Sequence, residues 1–205
     1  MPSPKRLIAI TAGFLVIAVL CLAYSYFIEP NRLVVTTETI VINDWNPAFD
    51  GLKIAMISDV HGGSNGASAE QIRRVVETTN AQNPDVIVLL GDYVSQAGKI
   101  TQHGQLRMSV KDMADNLAGL KARYGVYAVL GNHDGWYNDN EVATELTRVG
   151  YRVLQNEIVF IEQNGVKLRL LGLKDHLKLD SWVTFDATVR QVVSNYPKEG
   201  QLVVL

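Results

Sequence analysis

The chain has 205 residues, 47% of them hydrophobic and 20% charged, with a formal net charge of −2 at neutral pH. That length can bury a real core in one domain, and the near-zero charge excludes attraction to nucleic acid or anionic lipid through bulk basicity, so no nucleic-acid partner is expected. A single cysteine, Cys21, excludes a disulfide framework.

Residues 7–28 carry no charge and follow Lys5 and Arg6, with Tyr24, Tyr26 and Phe27 crowding the far end. About 20 apolar residues suffice for a helix to cross a bilayer, and aromatic residues gather where such a helix meets the interface. Residues 1–30 are therefore predicted to form a membrane anchor or signal segment, and residues 31–205 a separate domain. The leading basic pair places the amino terminus in the cytoplasm and the domain on the extracytoplasmic side, as in a single-pass inner-membrane protein. A cleaved signal peptide is the alternative, against which stand the length of the apolar run and the lack of a small-x-small cleavage site. Cys21 falls inside the run, which leaves the domain without a thiol nucleophile.

Beyond the anchor, β-branched residues at 33–42 read as a strand, followed by a loop at 43–50. Residues 53–57 read as a central strand packed on both faces, leading into Ser58-Asp59-Val60-His61-Gly62-Gly63. An amphipathic helix is expected over 67–81 and a fully buried strand over 86–90, ending in Gly91-Asp92. A polar loop at 95–104 is expected to lie over the site. A second helix follows at 110–120, then a strand at 124–130 running into Gly131-Asn132-His133-Asp134. The remaining elements are a helix at 140–149, a short strand at 151–154, a hairpin of 158–162 and 166–171 around Asn164-Gly165, a helix at 183–194 and a strand beginning at 202. Alternating strands and helices argue for an α/β fold with its central strands buried between layers.

Three buried strands thus end in Asp-x-His, Gly-Asp and Gly-Asn-His-Asp. Ligand sites in open α/β sheets gather at the carboxyl ends of strands, so these motifs are expected to converge. Asp59 and His61, two apart on an extended backbone, are expected to point the same way. Alone, the first motif reads better as a strand that ends in a polar turn; the recurrence of the architecture on two further strands favours a metal site. A carboxylate, an imidazole and an amide oxygen suit divalent cations, and two ions about 3.5 to 4 Å apart can clamp a phosphate for in-line displacement.

In order and spacing these motifs resemble those of the calcineurin-like metallophosphoesterases, specifically over residues 53–134. The apolar segment before Asp-x-His is similar to the membrane-anchored bacterial phosphodiesterase branch, some members of which cleave lipid-linked phosphate or pyrophosphate. The resemblance implies a layered α/β/β/α sandwich of mixed sheets and phosphoester hydrolysis by a hydroxide generated on the metal. It also implies two divalent ions (Mn, Fe, Zn or Ni). Asp59 and His61 would bind the first, Asp92 would bridge both, and Asn132 would bind the second. His133 would sit over the substrate phosphate as the catalytic residue without ligating, and Asp134 is expected to orient it. The family pattern has three further histidines downstream, one after a strand like 202–205 and two in a later Gly-His-x-His. They are absent here, so the carboxyl-terminal part of the domain is expected to be missing and catalysis by this chain impaired. Of the remaining histidines, His103 is expected to be solvated in its loop, and His176 is the one that could approach the site. The alternative is a binding or regulatory module at the membrane that kept the fold and lost catalysis. A nucleotide-binding domain is disfavoured by the lack of a glycine-rich phosphate cradle after the first strand. The expected partner is a phosphoester substrate, the candidates being a lipid-linked phosphate and a cell-envelope phosphodiester; residues 95–104 and Trp136-Tyr137 are the candidate contacts, the aromatic pair reading equally well as packing.

Overall fold

The structure is a computed structural model that describes residues 3–175, 181–197 and 200–205. A long apolar helix opens it, α1 (Pro4–Phe27), with no buried residue, closed by a short 3-10 turn at Glu29–Asn31. Among the described residues it is the one helix long and apolar enough to cross a membrane, by length and composition.

Two sheets follow. Strands β1 (Ile54–Ile57), β2 (Val86–Leu89), β3 (Val126–Ala128) and β4 (Arg152–Val153) form a parallel sheet in that order. Strands β5 (Glu157–Gln163) and β6 (Val166–Gly172) form an antiparallel hairpin, and β7 (Leu202–Val204) pairs parallel to β6. Alternation along each strand assigns its two faces. Val86 and Val88 of β2 meet Leu168 and Leu170 of β6 in the core between the sheets. Ile87 and Leu89 face the other way, against helices α2 (Ala69–Ala81), α3 (Val110–Leu117) and α5 (Asp139–Arg148). On the outside of the second sheet, Leu171 and Ile158 pack on Val192 of α6 (Trp182–Ser194). The result is helices, sheet, sheet, helix: the layered mixed-sheet sandwich expected. Each leucine or isoleucine fully withdrawn from water in these layers contributes on the order of 2 kcal/mol.

Register is what positions the site. Ile57 lies beside Leu89, and Leu89 beside Ala128, so the three motif-bearing strands end level and deliver their motifs to one edge. The hairpin turns through Asn164 and Gly165, at φ 52° and 76°, the two positive values that a two-residue type I′ turn needs.

Three expectations fail here. Residues 33–42 form no strand and are largely exposed, Val41 at 88%. β-Branched residues favour a strand only where an edge accepts their hydrogen bonds, and no described strand pairs with them. β1 is an edge strand rather than a central one, with Met56 71% exposed. The third motif does not simply end a strand. It starts a short helix, α4 (Asn132–Tyr137), that the sequence reading missed.

Candidate metal centre

β1 ends at Ile57, and the backbone after it is not extended. Asp59 and His61 both adopt left-handed backbone, at φ 55° and 42°. Such conformations cost of order 1–3 kcal/mol each in a non-glycine residue and persist only when the surroundings over-determine them. Here the surroundings are the loop after β2. The N–H groups of Asp59, His61 and Gly62 donate to the carbonyls of Gly91, Asp92 and Tyr93 at 3.2, 2.9 and 2.9 Å. The expected convergence is present, but two left-handed residues produce it, not the alternation of a strand. His61 Nε2 lies 3.7 Å from Asp59 Oδ1 and 3.8 Å from Asp92 Oδ2.

The other ring nitrogen fixes what Nε2 can do. His61 Nδ1 is 3.2 Å from the carbonyl oxygen of Val94. A carbonyl only accepts, so Nδ1 carries the proton of the neutral ring and Nε2 offers a lone pair. That lone pair faces two carboxylate oxygens, an arrangement of acceptors against acceptors that a cation between them relieves. The donor set of nitrogen and carboxylate oxygen fits a first-row divalent metal.

Asp92 is held at φ 57° with its oxygens divided. Oδ1 accepts from the His133 N–H at 2.9 Å, leaving Oδ2 toward His61. The loops pack so closely that a methyl group at Gly131 would collide with Asp92 Oδ1, and one at Gly91 with the backbone of Gly131. Asp134 fastens them from behind. Fully buried, its carboxylate accepts from Asp92 and Gly131 N–H on Oδ2 (2.8 and 2.9 Å) and from Tyr93 and Val94 N–H on Oδ1 (2.8 and 3.2 Å). Four donors need both oxygens as acceptors, the ionised form. Burial pushes the carboxyl up to about 6, against the opposing pull of the Gly131, Val94 and Tyr93 N–H groups. Asp134 was expected to orient the His133 ring. Its oxygens are instead occupied by the backbone of two loops, and this role was not visible in the sequence because it depends on a contact about forty residues away in the chain, as the 42-residue separation of Asp92 and Asp134 shows.

His133 stands edge-to-face against His61, ring centres 4.7 Å apart, with Trp136 at 5.0 Å on another side. His61, Asp92 and His133 bring ligand-capable atoms within 4.8 Å of one another. Asn132 lies with Asp59 and Asp92 in the wall of a cavity of about 380 Å³, whose lining also contains Lys174, Asp175 and Phe185. These last three were missed: Lys174 and Asp175 follow β6 and Phe185 lies on α6, and no motif links them to the strand-end triad. A signal existed only in the position of Lys174 and Asp175 just past β6. The Ser95–104 region reaches the site's margin, where Ser64 Oγ donates to Ser95 Oγ at 2.9 Å. His103 is exposed as expected, its N–H donating to the Tyr137 carbonyl at 3.3 Å. His176 lies outside the described residues.

Residues 52–196 match the family model for calcineurin-like phosphoesterases. The chain is 30% identical over 154 residues to the uncharacterized metallophosphoesterase YkuE of Bacillus subtilis, covering 74% of this chain and 51% of that protein. It is 29% identical over 163 residues to a transmembrane protein with metallophosphoesterase domain from Danio rerio, covering 77% and 35%. To the UDP-2,3-diacylglucosamine pyrophosphatase LpxG of Chlamydia muridarum it is 29% identical over 121 residues, covering 57% and 32%. The chain thus spans about half, or less, of the length of these curated relatives.

Proposed function

The chain belongs to the calcineurin-like phosphoesterase family, whose activity is metal-dependent phosphoester hydrolysis, and on that footing we propose that its strand-end cluster is a dinuclear hydrolytic site. Asp59, His61 and Asp92 hold one divalent ion; Asp92 and Asn132 hold the other; Mn, Fe, Zn and Ni all suit the donors. The observation that carries the reading is the confrontation of the His61 Nε2 lone pair with oxygens of Asp59 and Asp92 at 3.7 and 3.8 Å. Ions bound there supply Lewis acidity to the phosphoryl oxygens and acidify water. The protein's own groups do the rest. His61 is locked in one tautomer by Val94. The Asp134 carboxylate and the His133 N–H fix Asp92. His133, at the edge of the cluster, contacts the substrate phosphate and protonates the leaving oxygen.

The substrate is a phosphodiester or a lipid-linked phosphate or pyrophosphate. An apolar amino-terminal helix supports a substrate at the membrane, and a pyrophosphatase among the relatives supports the chemistry. We place the domain on the extracytoplasmic side of the inner membrane, from Lys5 and Arg6 ahead of α1.

Manganese titration of the detergent-solubilised chain by calorimetry, beside hydrolysis of bis-p-nitrophenyl phosphate, tests the reading. Weak but saturable binding is expected, falling about tenfold or more in Asp92→Asn together with the hydrolysis. Equal affinity in the variant would remove Asp92 from the site.

A further inference from the structure

The end of the anchor helix is docked onto the site-bearing loop. The side chain of Asn65 donates to the carbonyl of Tyr26 at 2.9 Å, and that of Gln71 to the carbonyl of Asn31 at 2.8 Å. Gly66 lies so close that a methyl group there would collide with the Pro30 carbonyl. Residues 64–66 follow His61 after Gly62-Gly63, in a turn closed by Ser64 N–H to His61 carbonyl and Ala67 N–H to Ser64 carbonyl, at 3.0 and 2.9 Å. Where α1 leaves the bilayer, the chain is therefore already at the carboxyl ends of the parallel strands.

A second feature lies at the same end. Phe185, on the first turn of α6, lines the cavity that Asp59, Asp92 and Asn132 also line. Trp182 and Val183, one turn or less before it, are 69% and 79% exposed. Trp182 stands edge-to-face to Phe185, ring centres 5.8 Å apart. An exposed tryptophan beside an exposed valine, on the same helix turn as the cavity-lining Phe185 and at the end of the domain from which a membrane-length helix emerges, matches the chemistry of a bilayer interface. There an indole keeps its apolar body in the acyl boundary and its N–H among headgroups.

We propose that the carboxyl-end face of the parallel sheet rests on the bilayer, with Trp182 and Val183 inserted at headgroup level. The cavity mouth then opens at the membrane surface. This rests on α1 spanning the bilayer, as proposed above. Continuity with α1 favours lipid over a protein partner as the occupant of this face.

The test uses the full chain reconstituted in phosphatidylcholine vesicles carrying a fraction of lipid brominated in the upper acyl chain, a collisional quencher of tryptophan. The chain has three tryptophans, Trp45, Trp136 and Trp182. Tryptophan emission is expected to be quenched, and W182F to abolish most of that quenching. V183D, at a position exposed enough to leave folding unaffected, is expected to shift Trp182 emission to the red and reduce its quenching. Quenching that is the same in W182F as in the native chain, or unaltered in V183D, overturns the proposal. Flotation of the same samples separates the causes. A chain that floats with the vesicles but shows no Trp182 quenching keeps its anchor and loses the docked face. A chain that does not float loses both.

Discussion

Asp134 shows how much of the site rests on a residue that touches no substrate. Its two oxygens close both loops, each accepting two backbone N–H groups. Asp134→Asn replaces one oxygen with an amide donor and turns two buried N–H groups toward it, at a cost of about 1–3 kcal/mol for each donor left unpaired. Urea unfolding is expected to register that loss, and manganese affinity to fall with it because Asp92 is no longer fixed. A variant with native stability and affinity would show the four bonds to be dispensable. At this scale the gathering of Asp59, His61, Asp92, Asn132 and His133 at one end of the sheet was legible, because chemistry-bearing residues stood at the ends of apolar runs. Their backbone was not. Left-handed φ at Asp59, His61 and Asp92 is imposed by hydrogen bonds between loops, which leave no trace in local sequence.

Elements were legible where a local rule sufficed. Asn164-Gly165 between alternating residues specified the hairpin, and the amphipathic pattern of residues 67–81 specified α2. They were misread where the partner mattered more than the propensity. Residues 33–42 have strand composition without a described partner, and β1 has a buried-strand composition on an edge. The helix α4 was hidden because its start, Gly131 N–H donating to Asp134 Oδ2, serves as a cap only once Asp134 is turned inward. β2 is the element that supports the site most directly, since Leu89, fully buried, immediately precedes the Leu90-Gly91-Asp92 turn. Leu89→Ala is expected to cost about 2–5 kcal/mol, read as a lowered urea midpoint. A change well under 1 kcal/mol would mean that the layer between β2 and the helices is not close-packed.

At the scale of the whole molecule, the four layers followed from the alternation of apolar strands and amphipathic helices, whereas the docking of α1 on residues 64–66 could not be read from any motif. The layers also bury tyrosines. Burial raises the phenols of Tyr93, Tyr127 and Tyr151 above their ordinary value of 10.0. A raised folded-state value means that the unfolded chain releases these protons first. The stability they contribute is therefore complete below about pH 10 and is lost as the pH rises further. The urea midpoint is expected to fall above pH 10, and to fall less in Tyr93→Phe, whose reference loses the phenol; an identical alkaline decline in both would assign it elsewhere. The central claim, that His61 and its neighbouring carboxylates hold a metal, is tested most directly by electron spin-echo envelope modulation of Mn²⁺ bound to the chain. Nitrogen modulation from a coordinated imidazole is predicted in the native protein and in His103→Gln, with loss in His61→Gln; modulation that is missing from the native protein, or that survives unchanged in His61→Gln, contradicts the account.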